Sequence, residues 1–286
     1  REGSLSFLNP EGAVMSLPPS NERLADYATC AAHEHFADQA KKTPSNVAIE
    51  GADCTMTYAQ LHARSDHLAR QLLAATGGAV GAKIGLLMDR CAESVLAMLA
   101  IMKAGYSYVP LNVFEDTEER LRCQVKMAKI AVATCTSQTE EKAWALGISN
   151  PVLVDVCQPN EQDDDGVTSC AAQLPKTSPD EAMFVLFTSG STGVPKAVQV
   201  SHRAALVHVH HYIQHYNISD VDVSAMMSEL IFDMHISELF PFLFEGARVL
   251  IVPAKPSFDA RAEWLRRGVT CSMWVPSVLR APLTLH

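Results

Sequence analysis

The chain has 286 residues, an apolar fraction of 48% and a formal charge of −9 at pH 7. That length suits one large domain or two modest ones, with about three quarters of the unfolded surface buried on folding. The acidic balance argues against a nucleic-acid surface as the main partner. No run reaches the roughly eighteen apolar residues of a membrane helix, because the longest candidate, Val95–Met102, is cut by Lys103. The start shows no secretory signal pattern. The eight cysteines form no Cys-x-x-Cys pair, and their scatter reads as free thiols in a reducing, cytoplasmic compartment. The chain opens on Arg1 and closes on Ala281-Pro-Leu-Thr-Leu-His286, so it reads as cut from something longer.

Residues 1–28 are polar and turn-rich, with Asn9-Pro10-Glu-Gly12 and Pro18-Pro19-Ser-Asn21, and read as a linker. Residues 29–286 carry the alternating pattern of a folded unit. Ala31–Lys42 is amphipathic and stops before Thr43-Pro44, as a helix should. Val47–Ile49 is a short strand. Thr57 is the expected N-cap of a helix running through Leu61, Leu68 and Leu72 to Gly77-Gly78. Ile84–Met88 is a buried strand, and Ser94–Lys103 a helix ended by Gly105. Tyr106 and Tyr108 then fall in a strand before a proline turn and read as packing residues. Ile130–Thr134 and Val152–Val156 are further strands. Strands alternating with helices predict an α/β fold with mostly parallel sheets flanked by helices. The run Glu161–Gly166 lacks the alternate spacing of a calcium loop and reads as a solvated loop.

The stretch that organises the rest follows the apolar run Met183–Phe187. Two glycines, four hydroxyl side chains and one lysine fall within nine residues, Thr188 to Lys196. Gly190 and Gly193 let the backbone adopt positive φ and approach a ligand. Successive N–H groups can then form an anion-binding concavity. Ser189, Ser191 and Thr192 add hydroxyl donors, and Lys196 a point charge. The run is not a Walker loop, because Pro195 precedes the lysine and Ala197 follows it. Ala197–Val200 alternates like a returning strand, which makes this a loop between two strands.

His202–Tyr216 reads as a helix with His208, His211 and His215 on one face. No acidic or cysteine ligand accompanies them, so a partly exposed histidine face is the simpler reading than zinc. Asp233 sits between apolar neighbours just ahead of an amphipathic helix, and a carboxylate there needs a cation or several donors. A helix N-cap is the plain structural alternative. Arg248–Val252 is a strand, and Val269–Ser277 a strand and turn.

The segment Thr188–Lys196 resembles the phosphate-binding loop of the adenylate-forming (AMP-binding) enzymes. These comprise acyl-CoA synthetases, luciferases and the adenylation domains of nonribosomal peptide synthetases. Their pattern is Thr-Ser-Gly-Ser/Thr-Thr-Gly-x-Pro-Lys-Gly, and every position matches but the last, where Ala197 stands for glycine. Other blocks are similar to the family's landmarks: His33–Pro44, Thr57–Leu61, and Lys103–Asn112, with Ser107 for Ala and Asn112 where Asp is common. Phe232-Asp233 resembles the Phe-Asp block of amino-acid-activating members, whose Asp holds the substrate ammonium. The family's serine two residues on is here His235. By the same match Met234, Ser237 and Met273 line the side-chain pocket.

The resemblance implies the amino-terminal, large-subdomain part of the adenylate-forming fold, truncated. Residues 29–286 would be an incomplete AMP-binding adenylation domain, and residues 1–28 the linker from an upstream condensation domain. Thr188, Ser189, Gly190, Ser191, Thr192, Gly193 and Lys196 would hold the ATP phosphates, and Asp233 the amino-acid substrate. Mg²⁺ would accompany ATP, and the acyl group would pass to the phosphopantetheine of a partner carrier domain. The blocks for adenine, ribose and Mg²⁺ and the lid with its catalytic lysine are not in this stretch, so no complete catalytic set is expected. Neither nucleic acid nor membrane is an expected partner. A fragment of an acyl-CoA ligase, or a non-catalytic remnant binding a nucleotide or partner, are the alternatives.

Overall fold

The computed structural model describes residues 7–8, 14–15, 28–52, 54–156, 173–188, 195–252, 264 and 266–273. In chain order the elements are β1 (Phe7–Leu8), β2 (Val14–Met15), α1 (Ala32–Lys42), β3 (Val47–Glu50), β4 (Thr55–Thr57), α2 (Tyr58–Thr76), β5 (Lys83–Leu87) and α3 (Ala92–Lys103). There follow β6 (Ser107–Pro110), α4 (Glu118–Ala128), β7 (Val132–Cys135), α5 (Glu140–Ala145), β8 (Asn150–Leu153), β9 (Ala182–Thr188) and β10 (Lys196–Ser201). The last are α6 (His202–Tyr216), β11 (Val223–Met226), α7 (Met234–Glu245), β12 (Arg248–Ile251) and β13 (Cys271–Ser272).

Two sheets carry the fold. One has six strands in the order β10-β9-β6-β5-β7-β8, the other five in the order β13-β11-β12-β3-β4. All pairings in them are parallel except β9 with β10 and β3 with β4. The expected α/β class with mostly parallel sheets is therefore what forms. Within the stretch read as a linker, β1 and β2 make a small antiparallel pair. Glu161–Gly166 lies outside the described residues.

Two helices form the interior. Every residue of α3 but Glu93 is buried, as is His235–Phe244 of α7. A helix buried on all sides needs apolar neighbours all round. One continuous core supplies them: Ile84, Leu86 and Tyr108 from the first sheet, Ile49, Val249 and Ile251 from the second. Around that core the helix ends are pinned by polar side chains. Thr57 and Gln60 close a capping box at the start of α2. Next to it, the Tyr58 hydroxyl donates to the Ala247 carbonyl at 2.7 Å, tying the start of α2 to the end of α7. Gly246 terminates α7 at φ +83° with the Gln39 side chain packed against it, so a Cβ there would lie 2.6 Å from Gln39 Nε2. At the end of α3, Lys103 Nζ reaches Asp66 Oδ1 at 2.6 Å and the His62 carbonyl at 3.0 Å. The Lys103–Asn112 block is thus a helix stop and an anchor, and Tyr106 is held by Thr76 Oγ1 at 2.6 Å.

The helices α4 and α5 and the strands β4 and β11 were not expected from the sequence. Helix α4 is amphipathic with a Thr117 cap, but its polar residues obscure the apolar stripe. Strand β11 reads Val-Ser-Ala-Met, too short and too mixed to show a period.

Burial also sets an acid sensitivity. His202 is fully buried and its Nδ1 accepts the Ala32 N–H, while His33 lies edge-on to it at 5.9 Å. Burial lowers the His202 pKa to about 4 and, with His202 and Lys103 nearby, that of His33 to about 3. The unfolded chain takes up these protons near pH 6.5, whereas the folded chain resists them until well below pH 5. Stability is therefore lost as pH falls through 6.5, by about 2 kcal/mol per histidine at pH 5. Urea unfolding at pH 7 and pH 5 should show this loss, and the His202→Gln variant should show about 2 kcal/mol less of it. An equal pH dependence in both chains would refute the assignment.

Candidate functional site

Parallel strands deliver their carboxyl ends to one edge of a sheet, and ligands of open α/β sheets bind beyond that edge. Strand β9 runs parallel to β6 and reaches this edge at Thr188. Strand β10 returns antiparallel from Lys196, and Lys196 faces Thr188 across the pair. The two strands expected on either side of the glycine-rich run are therefore present, ending at Thr188 and starting at Lys196. Ser189, Gly190, Ser191, Thr192 and Gly193 lie outside the described residues. Ala197 pairs with Phe187 and is exposed, so its methyl group meets solvent and replaces glycine there without crowding.

The second group of site residues sits at the start of α7. The chain leaves β11 at Met226, crosses Met227–Phe232 and enters the helix at Met234. Asp233 occupies the N-cap position, yet its side chain makes no capping bond and is exposed. The plain N-cap reading thus holds for its position and fails for its bond. Met234 is half-buried and Ser237 buried, one turn of helix beyond Asp233 on the same side. Met273 is half-buried just after β13.

His235 explains how this turn is held. The ring is fully buried. Its Nδ1 faces the Phe232 carbonyl, which can only accept, so Nδ1 carries the proton. Nε2 is then the acceptor of the neutral ring and takes the Tyr108 hydroxyl at 2.9 Å. Burial lowers the His235 pKa to about 4, against the Phe232 carbonyl and the nearby Asp233 carboxylate. His235 therefore bolts the Phe232-Asp233 turn to β6. Its ring also meets Phe184 of β9 edge-on at 6.1 Å. Thr188 lies four residues beyond Phe184, about 13 Å along the strand. The carboxylate turn and the loop strand are thus joined through one imidazole.

Two further acidic positions were not singled out from the sequence. Glu238 is buried, and its carboxylate accepts the Met227 N–H at 3.0 Å, the Ser228 N–H at 2.9 Å and the Ser228 hydroxyl at 2.8 Å. Burial raises its pKa, while those donors act to lower it. It fixes the loop that leads to Asp233. Glu229 accepts from Asn112 Nδ2 at 3.3 Å. The family's usual aspartate at position 112 would place a second carboxylate against Glu229, whose pKa burial and the neighbouring Glu115, Asp89 and Asp116 already raise. Glu229 borders a cleft of about 310 Å³ between Met88–Arg90, Pro110–Asn112 and Glu229–Ile231.

The histidine face of α6 divides. His208 Nε2 meets Ser237 Oγ at 2.6 Å. His211 and His215 stack on each other at 5.8 Å on the exposed side. Among the described residues no group of three or more potential ligands converges on a metal position.

The geometry can be set beside known proteins. The chain is 30% identical over 285 residues to a linear gramicidin synthase protein of Brevibacillus parabrevis, covering 99% of the chain and 4% of that synthase. It is 33% identical over 258 residues to nonribosomal peptide synthetase 8 of Aspergillus fumigatus, covering 87% of the chain and 3% of the synthetase. The chain thus spans only a small part of the curated relatives it matches. Among solved structures, the N-terminal subdomain of Klebsiella oxytoca NpsA in complex with 3-hydroxyanthranilyl-AMSN superposes with a TM-score of 0.73 at 23% identity, over 88% of this chain and 61% of that one. The synthetase FmoA3 in its alpha-methyl-L-serine-AMP bound form gives 0.75 at 23%, over 95% of this chain and 31% of that one. These two likenesses show the fold, that of the N-terminal part of adenylate-forming enzymes. The profile of the AMP-binding enzyme family matches residues 36–286, and with that match the chain belongs to the AMP-binding enzymes.

Proposed function

We propose that this chain is the amino-terminal part of an adenylation unit that activates an amino acid for a nonribosomal peptide synthetase. In the whole unit, a carboxylate oxygen of the amino acid attacks the α-phosphorus of ATP and pyrophosphate leaves. The aminoacyl group then passes from AMP to the phosphopantetheine thiol of a carrier domain. The observation that carries the reading is Asp233: an exposed carboxylate at the site edge that its own helix does not use. An ammonium group is the cation it suits. An exposed lysine at position 196 beside Thr188 suits the phosphate end of ATP.

What the residues of this chain do is bind and orient. Holding two reactants in line supplies much of the rate in such a transfer, and neutralising phosphate charge supplies more. Ser189 to Gly193 would add N–H and hydroxyl donors between Thr188 and Lys196. Mg²⁺ accompanies ATP in the family, and no cluster among the described residues would hold it, so no step is assigned through it. A condensation domain upstream and a carrier domain downstream are the partners this reading requires. The six described cysteines are free thiols, which agrees with a reducing, cytoplasmic setting.

In a protein containing this chain, Asp233→Ala should lower kcat/KM for the amino acid by about a hundredfold or more, since a charge-assisted bond to the ammonium is lost. Its stability should stay within about 0.5 kcal/mol, because the side chain is exposed. Glu238→Ala should do the reverse in kind, costing about 3 kcal/mol in urea unfolding by orphaning three donors. Equal effects of the two substitutions on stability would contradict the division of roles. Lys196→Ala should leave the fold intact and weaken ATP use by about a hundredfold; unchanged ATP-dependent pyrophosphate exchange would remove the phosphate role. The isolated 286 residues should show no exchange above background with ATP and any amino acid, and clear turnover would refute that expectation.

A further inference from the structure

Two helices meet at Ser237. Helix α7 brings Asp233, and Ser237 four residues later, so the hydroxyl lies about 6 Å further along the helix on the same side. Helix α6 lies against α7 and brings His208 to 2.6 Å from Ser237 Oγ. One turn on, the Tyr212 hydroxyl faces Cys271 Sγ at 3.9 Å, which ties α6 to β13 and so to Met273. His208, itself exposed, is thus bonded to one of the residues expected to line the side-chain compartment and lies on a helix that also reaches β13. The bond to His208 uses one of the three hydrogen-bonding capacities of the serine hydroxyl, which has one donor hydrogen and two lone pairs. Ser237 is otherwise buried and keeps capacity to spare.

An amino acid held at Asp233 by its ammonium group would direct its side chain along α7. A hydroxyl or carboxamide one to three bonds from its Cα would fall near Ser237 Oγ. An aliphatic group in the same place would cover a polar pair without satisfying it, and polar sites reject such analogues strongly. We propose that His208 is a specificity-determining residue, which with Ser237 forms a hydrogen-bonded pair that selects amino acids with a hydroxyl or carboxamide side chain. This rests on the amino-acid-activating reading above. His208 orients the Ser237 hydroxyl and sets which of its capacities faces the substrate; Met234 and Met273 shape the remaining space.

The test is pyrophosphate exchange by a protein containing this chain, using serine, threonine, asparagine and glutamine against alanine, valine, leucine and methionine. The native protein should prefer a member of the polar set by tenfold or more in kcat/KM. His208→Ala should reduce that preference by about tenfold, through a higher KM for the polar amino acid, with KM for ATP unchanged. His208→Gln, whose amide reaches the position of Nε2 and can still bond Ser237, should restore most of the preference, and Ser237→Ala should abolish it. A native preference for a wholly apolar amino acid would overturn the proposal, as would His208→Ala with native ranking and native KM. Activation of amine-free carboxylic acids and of no amino acid would overturn the parent reading as well, which separates the two failures.

Discussion

A buried helix cannot begin among apolar side chains unless its first turn and the loop before it find polar partners. Helix α7 is such a helix, and the constraint organises the rest of the molecule. Its preceding loop is fastened by Glu238, which folds back from the second turn to accept from Met227 and Ser228. Its first turn is fastened by His235, which links the Phe232 carbonyl to the Tyr108 hydroxyl. With those two side chains engaged, Asp233 is relieved of capping. The carboxylate can therefore face solvent at the edge of the sheets, where a substrate can reach it. A cap made by Asp233 itself would have spent the group that the proposed chemistry needs.

The same fastening sets the relation between the two halves of the site. Tyr108 and Phe184 stand opposite each other in neighbouring parallel strands, and their rings stack at 5.6 Å. His235 packs on both. A shift of α7 would disturb this aromatic contact and, through β9, the strand end at Thr188. The serine of the family at this position could cap locally but could not span to the next sheet; the imidazole can. On the proposed reading, binding at Thr188 and at Asp233 would be referred to one rigid cluster, as an in-line transfer between two held reactants demands.

Much of this was legible in the sequence, and the reasons differ by element. Long amphipathic helices with clear stops, such as α1, α2 and α6, stand where the periodicity puts them. So do the two strands that flank the glycine loop, because hydrophobic shoulders and turn residues agree there. Strands β5 and β7 shift by one or two residues, since buried parallel strands show no alternation to fix their ends, and the edge strand β8, none of whose residues is buried, starts two residues earlier than expected. Of the proposed site, Asp233 and Ser237 are pointed to by resemblance alone. Glu238 and His235 were not legible, because their partners are backbone groups and a tyrosine 127 residues away. Such partnerships leave no local period or spacing to read.

His208 shows the limit most clearly. Its spacing with His211 and His215 suggests one face and one shared task, and the fold splits that face at the border between helix packing and solvent. All three are exposed, but position 208 also bonds Ser237 of α7, whereas 211 and 215 stack on each other. A one-dimensional pattern reports which side chains lie on a common side of a helix. It does not report where along that side the neighbouring helix ends. Here that boundary falls within two turns, and it makes His208 a neighbour of Ser237 while leaving the other two to each other. The chemistry of this histidine row is therefore decided by the crossing of α6 over α7. That crossing in turn follows from the burial of α7 with which the fold is built.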